Sequence, residues 1–191
     1  SAASISALAD QGDVVAVALD LGDGIPLNEL RDGALVAGAS RCHALDVREE
    51  FLRDAILPAL RADTVAEAGM AVSARAATFV TAKLQAIADI EEAVLIAPER
   101  RVFPMPASSR RATAGVPAYL DLRFAQGVPV AVNEIPMTLT ELTECINTIA
   151  GVPASELLHL AYRQLDGAAD GQVVLRVEDG QCAVASTAVM L

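Results

Sequence analysis

Residues Val14–Gly24 read VVAVALDLGDG, an apolar run from Val14 to Leu21 broken only by Asp20 and ended by Gly22-Asp23-Gly24. Apolar residues at both odd and even positions mark a strand buried on both faces, as strands of a parallel sheet are. The Gly-Asp-Gly triplet predicts a tight turn at its carboxyl end. Leu27, Leu30, Ala34 and Leu35 then recur at helical spacing, with Gly38 as a C-terminal cap. Cys42–Val47 reads as a second strand.

Further along, Asp46 with Glu49 has the spacing of a capping box, opening a helix through Phe51, Ile56 and Leu60. Thr64 with Glu67 repeats the device ahead of an alanine-rich helix to about Ala88. Val94–Ala97 reads as a third strand, stopped by Pro98. This strand–helix alternation predicts right-handed crossovers, and all three strands parallel in one sheet. Composition then changes: residues 99–117 hold prolines, serines and the pairs Arg100-Arg101 and Arg110-Arg111, and read as a linker or loop whose arginines could face phosphate or a carboxylate substrate but read by default as solvated. Beyond it come a hairpin (Tyr119–Phe124 and Val128–Val132) and a helix opened by the capping box Thr138/Glu141 and ended at Gly151. A shorter helix from about Ser155 to Leu165 and a second hairpin (Gln172–Val177 and Gln181–Ala185) follow. The expectation is an α/β domain over 1–98, a linker over 99–117 and a smaller α+β domain over 118–191.

Composition narrows the function classes. In a chain of 191 residues, a formal charge of −11 argues against a nucleic-acid partner, which needs clustered Lys and Arg to displace phosphate counterions. Apolar residues make up 53%, ample for a core, yet no stretch approaches the ~18–20 apolar residues of a spanning helix. No basic-then-apolar leader opens the sequence, so the expectation is a soluble, cytoplasmic protein without a membrane partner. Cys42, Cys145 and Cys182 form no CxxC pair and read as small core residues in a reducing compartment, so neither a metal site nor a disulfide is expected. His43 and Cys42 point to opposite faces of their strand, which argues against a shared metal. His159 reads as structural.

Several stretches together resemble the argininosuccinate synthase family, collinearly over nearly the whole chain. VVAVALDLGDG is similar to that family's VVxVxVDLGQG, and DVREEFLRDAILPAL to its DAREEFVRDYVFPAL. Leu95–Pro98 with Arg100 resembles an xIAPxR strand end. In the second half DLRFAQGVPVAVN, TLTELTECINTIAG, PASELLHLAYRQL and GQVVLRVEDGQCAVAS follow in the family's order. The resemblance implies an N-type ATP pyrophosphatase-like (HUP) domain followed by a catalytic and multimerisation domain. It also implies a homotetrameric ligase of arginine biosynthesis that uses ATP with Mg2+. Such an enzyme adenylates citrulline, and the amino group of aspartate then displaces AMP.

Asp20 and Gly22 sit where open α/β sheets place ligands, outside the carboxyl ends of strands. By resemblance, Leu19 touches the adenine ring through backbone atoms. Ser1 stands where the last Ser of the family's SGGLDTS loop would be, and reads equally as a phosphate contact at a helix N-terminus or as a plain N-cap. Two internal family segments, HGCTGKGNDQVRF and HGVGRIDxVENRxxGIKSR, have no counterpart here. Residues 69–78, GMAVSARAAT, align with YPLVSALSRP. Ser73 is shared and is a candidate substrate contact, whereas Gly69 and Ala77 replace the aromatic and the Arg, Ala74 replaces the hydroxyl that some versions of the motif carry there, and Arg75 reads as a solvated helix charge. No catalytic residue is assigned by these patterns. The functional expectation is an ATP-dependent ligase acting on citrulline, or a related substrate, and aspartate. Its alternative is a catalytically inactive paralogue kept as a nucleotide-binding or scaffold subunit.

Overall fold

The computed structural model describes residues 2–22, 24–61, 65–96, 117–166 and 169–190. Ser1, Thr64, Ala97, Pro98 and both Arg pairs of the expected linker lie outside them. The described residues of 1–51 and 77–101 form one compact unit, and those of 52–76 and 102–191 a second. The described residues of 52–76 thus group with the second unit and not with 1–51.

In the first unit, α1 (Ala2–Ala9) leads to β1 (Val15–Asp20), α2 (Leu27–Val36) and β2 (Arg41–Asp46). As the apolar run predicts, β1 and β2 are parallel, in a register that sets Leu19 against Leu45 and Asp20 against Asp46. Gly38, with φ 104°, follows α2 and returns its N–H to the Leu35 carbonyl, the role read from the sequence. The expected third strand is not formed among the described residues. Ala93–Ile96 is irregular, and Val94 and Ile96 are 91% and 60% exposed. An apolar β-branched run states a preference for strand, but a strand exists only where a neighbour takes its hydrogen bonds. The sheet is correspondingly thin, and every residue of β1 is only half-buried.

After β2 come α3 (Arg48–Phe51), a π-helical turn (Leu52–Ile56) and α4 (Leu57–Leu60). Pro58 has no N–H to return along the helix, and the wide turn ends two residues before it, at Ile56. The capping box read for Asp46 takes another form: its Oδ1 accepts from the Arg48 amide at 3.2 Å. The long α5 (Val65–Ile90) matches the alanine-rich helix expected from Thr64.

The second unit holds an antiparallel sheet, ordered β5 (Ile135–Pro136), β4 (Val128–Val132), β3 (Ala118–Ala125), β6 (Asp170–Glu178), β7 (Gln181–Met190). Both hairpins read from the sequence are present, β3 with β4 and β6 with β7. Helices α6 (Leu139–Ala150) and α7 (Ala154–Leu165) complete the unit. Leu120, Leu122, Phe124, Leu142, Ile146, Leu157, Leu158, Val173 and Leu175 are each 1% exposed or less. Burying one such side chain is worth about 1.5–3 kcal/mol, so this unit holds the molecule's principal core. Thr138 and Glu141 form the expected capping box, and Gly151 ends α6 in a left-handed conformation. His159 is buried on α7, its Nδ1 2.8 Å from the Leu60 carbonyl. Among the described residues, no helix is long and apolar enough to cross a membrane.

Candidate functional site

The tripeptide Ala-Leu-Asp closes both parallel strands, as Ala18-Leu19-Asp20 and Ala44-Leu45-Asp46, and the register puts the two copies side by side. Two carboxylates therefore stand at the carboxyl edge of the sheet. Strand ends in a parallel sheet deliver side chains and free backbone groups to one edge, which makes it the place where such folds bind ligands.

Asp20 shapes the turn that follows. Its Oδ1 accepts the Gly22 N–H at 2.8 Å, an Asx turn, and its carbonyl accepts from the Val47 amide at 3.2 Å. Gly22 has φ 92°, which a side chain would strain, and a Cβ there would meet nothing within 4 Å, so the conformation and not space selects glycine. Gly22 is exposed while Leu19 and Asp20 are half-buried, which leaves the backbone of the turn open beside a largely covered strand end.

Arg48 lies across the two carboxylates. Its Nε and Nη2 donate to Asp46 Oδ1 and Oδ2 at 3.0 and 2.8 Å, and Nε is 3.4 Å from Asp20 Oδ2. Hydrogen bonds from the Arg48 side chain, then from its backbone amide, hold the Asp46 carboxyl below the ordinary carboxylate range. Carboxylate acceptors of this kind suit the amino group of a base or the hydroxyls of a sugar, and repel phosphate.

Of the residues singled out from the sequence, Leu19, Asp20 and Gly22 lie together at this edge. Ser1 is outside the described residues. Ser73 is exposed on α5 and belongs to the second unit, as do Ala74 and Arg75. Sequence reasoning did not assign Asp46 and Arg48 to the site, because the DxxE spacing reads first as a helix cap. The repeated Ala-Leu-Asp is the signal that could have found them.

Elsewhere in the first unit, Glu91 accepts from Arg41 Nη2 at 2.8 Å and lies 2.6 Å from His43 Nε2, tying the end of α5 to β2. Burial is the chief cause pushing the Cys42 and Cys182 thiols up, which makes them poor nucleophiles at neutral pH. Among the described residues, no group of three or more His, Cys, Asp or Glu side chains could hold a metal ion.

A family model described as the arginosuccinate synthase N-terminal HUP domain matches residues 1–99, which contain the whole of this edge. Curated relatives point the same way. The argininosuccinate synthase of Dictyoglomus turgidum is 40% identical over 55 residues, covering 29% of this chain and 14% of the relative. That of Geobacillus kaustophilus is 38% identical over 86 residues, covering 44% and 21%. That of Streptococcus suis is 27% identical over 221 aligned positions, covering 73% of this chain and 55% of the relative. More than a third of those 221 positions thus face no residue here, since 73% of 191 residues cannot fill them. The chain spans about half the length of the Streptococcus suis relative, and less of the other two.

Proposed function

We propose, since this chain belongs to the argininosuccinate synthase family, that it is an ATP-dependent carbon–nitrogen ligase of that type. In this reading the ureido oxygen of citrulline, or of a related substrate, is adenylated. The amino group of aspartate then displaces AMP. The observation that carries the reading is the Asp20–Gly22 turn at the carboxyl edge of the parallel strands, inside the matched residues. Leu19 and the open backbone of the turn supply the adenine contact, with Asp20 and Gly22 fixing their geometry. Ser1 is proposed at the phosphate end, and Ser73 as a contact to substrate.

The carboxylate-rich edge suits the nucleoside half of ATP. Mg2+ is proposed to arrive with ATP, on its phosphates. A cytoplasmic homo-oligomer, a tetramer by analogy, serving arginine biosynthesis is part of the same proposal.

Isothermal titration of the chain with adenosine, ATP and citrulline tests it. Saturable binding of adenosine and ATP, lost in Gly22→Val, is expected. No nucleotide binding would overturn the reading, and nucleotide binding without AMP release in the presence of amine acceptors would mark a nucleotide-binding scaffold. Citrulline itself is expected to bind weakly. Gly69, Ala74 and Ala77 offer neither ring, hydroxyl nor guanidinium, and two or three unmatched polar groups cost ~3–6 kcal/mol, roughly 10²–10⁴-fold in affinity. Micromolar citrulline binding would refute that expectation.

A further inference from the structure

We infer that Arg48 is a positioning residue for this edge: by clamping Asp46 and Asp20 it fixes the Asp20–Gly22 turn, and it does not itself bind the nucleotide's phosphates. The inference rests on the nucleotide reading above for its ligand, but on geometry alone for the clamp. Asp20 and Asp46 are register partners on adjacent strands, and like charges directly opposite one another are destabilising. Arg48 is the cation between them. Its planar fork takes both oxygens of Asp46, its own amide adds a third bond to Oδ1, and Nε reaches Asp20 Oδ2 at 3.4 Å. Asp20 is thereby tethered on Oδ2 while Oδ1 holds the Gly22 amide at 2.8 Å. The result is a continuous relay, Asp46 to Arg48 to Asp20 to Gly22, running from the end of one strand to the turn after the other.

A phosphate-binding arginine presents its fork to the ligand, whereas Nε and Nη2 of Arg48 are directed at carboxylates. A phosphate approaching this guanidinium would also meet the two carboxylates that it neutralises. Acting through Asp20, Arg48 sets where the turn's backbone lies. Losing it releases the turn and leaves two opposed carboxylates beside the proposed nucleoside contact.

A double-mutant cycle on the full chain tests the inference. Arg48→Gln and Asp46→Ala are each expected to weaken adenosine and ATP by the same factor, about two- to fivefold for a partly exposed ion pair. The double variant should be no worse than either single one. An ATP-selective loss in Arg48→Gln would make Arg48 a phosphate ligand, and additive losses would show that it does not work through Asp46; either result overturns the inference. Amide hydrogen exchange supplies a readout independent of any ligand. In Arg48→Gln the Gly22 amide should exchange faster while amides of β3 and β6 keep their rates, and an unchanged Gly22 rate overturns the clamp. Failure of the wild-type chain to bind adenosine or ATP would refute the nucleotide reading, while the Gly22 exchange would still decide the role of Arg48.

Discussion

Tyr162 joins three parts of the second unit at one atom. Its hydroxyl donates to the Gly127 carbonyl at 3.0 Å, Arg61 Nη2 donates to the same oxygen at 2.7 Å, and the Arg61 guanidinium lies 5.3 Å from the Tyr162 ring centre. A Cβ on Gly127 would stand 2.5 Å from Arg61 Nη2, so the turn between β3 and β4 has to be glycine for the arginine to reach it. Burial pushes the Tyr162 hydroxyl up to about 12, with Arg61 pulling weakly the other way. The folded value lies above the unfolded one of about 10, so the stability it contributes is complete below pH 10 and fades as pH rises towards 12. In a Tyr119→Phe background, tyrosinate absorbance should therefore appear only at about 12, together with alkaline loss of tertiary structure, and ionisation near 10 in the folded chain would contradict this. Tyr162→Phe should cost about 0.5–1.5 kcal/mol in urea unfolding, because one donor of two is lost from a carbonyl that Arg61 still satisfies. Asp46 runs in the opposite direction. Its carboxyl is depressed by Arg48, so its contribution is present above about pH 4 and is lost as pH falls through the folded value. The Asp46 carboxyl resonance should titrate below the ordinary Asp midpoint and move upward in Arg48→Gln. Neither Arg61 nor Arg48 is conspicuous in the sequence. Each is one arginine in a helical stretch, and its role depends on a carbonyl 66 residues away or on a strand end 28 residues back.

Elements whose signals are local were legible; those whose existence depends on distant partners were not. Thr138 and Glu141, three residues apart ahead of an apolar helical stripe, predict α6, and the structure has both halves of the box. The Glu141 amide donates to Thr138 Oγ1 at 3.3 Å, and the Thr138 amide donates to Glu141 Oε2 at 2.9 Å. The bond from the Thr138 amide, and then one from its hydroxyl to Glu141 Oε2 at 2.9 Å, hold the Glu141 carboxyl below its usual range, so the box is intact above that range and loosens as pH falls through the folded value. Thr138→Ala should destabilise the unit by about 1 kcal/mol in chemical denaturation, and Thr138→Ser by much less, since serine caps as well as threonine. An equal loss in both would mean that the hydroxyl is not what matters. Both hairpins were legible for the same reason: alternating runs joined by Gln126-Gly127 and Glu178-Asp179-Gly180 specify their pairing within a few residues. Residues 94–97 show the contrary case. Their apolar run states that a strand would be tolerated, but pairing is a property of the neighbour, and the described residues of that segment have none in the sheet. The π-helical turn before Pro58 was equally hidden, because the apolar spacing of Phe51, Ile56 and Leu60 fits an ordinary helix.

At the scale of the molecule, the two units differ in how their apolar residues are used. The second closes around side chains from β3, β6, α6 and α7 with almost no exposure, whereas β1 and β2 of the first contain no buried residue. A two-stranded parallel sheet is marginal by itself, and strands of this composition are stable when covered on both faces. Local opening free energies track buried contacts, so β1 and β2 should open without unfolding the second unit, and their amides should lose protection first. In hydrogen exchange of the free chain, amides of Val17, Leu19 and Ala44 should exchange at least about tenfold faster than those of Leu120, Leu122 and Leu175. If the proposed nucleotide edge is correct, saturating adenosine should narrow that gap from one side only. A ligand stabilises the state it binds by RT ln(1 + [L]/Kd), about 2.7 kcal/mol at a hundredfold excess over Kd. The slowing should therefore concentrate in β1, β2 and the Asp20–Gly22 turn, with β3 and β6 unchanged. Uniform slowing across both units would show that they open together, and slowing confined to β3 and β6 would place the ligand in the second unit and remove the basis for a site at the carboxyl ends of β1 and β2.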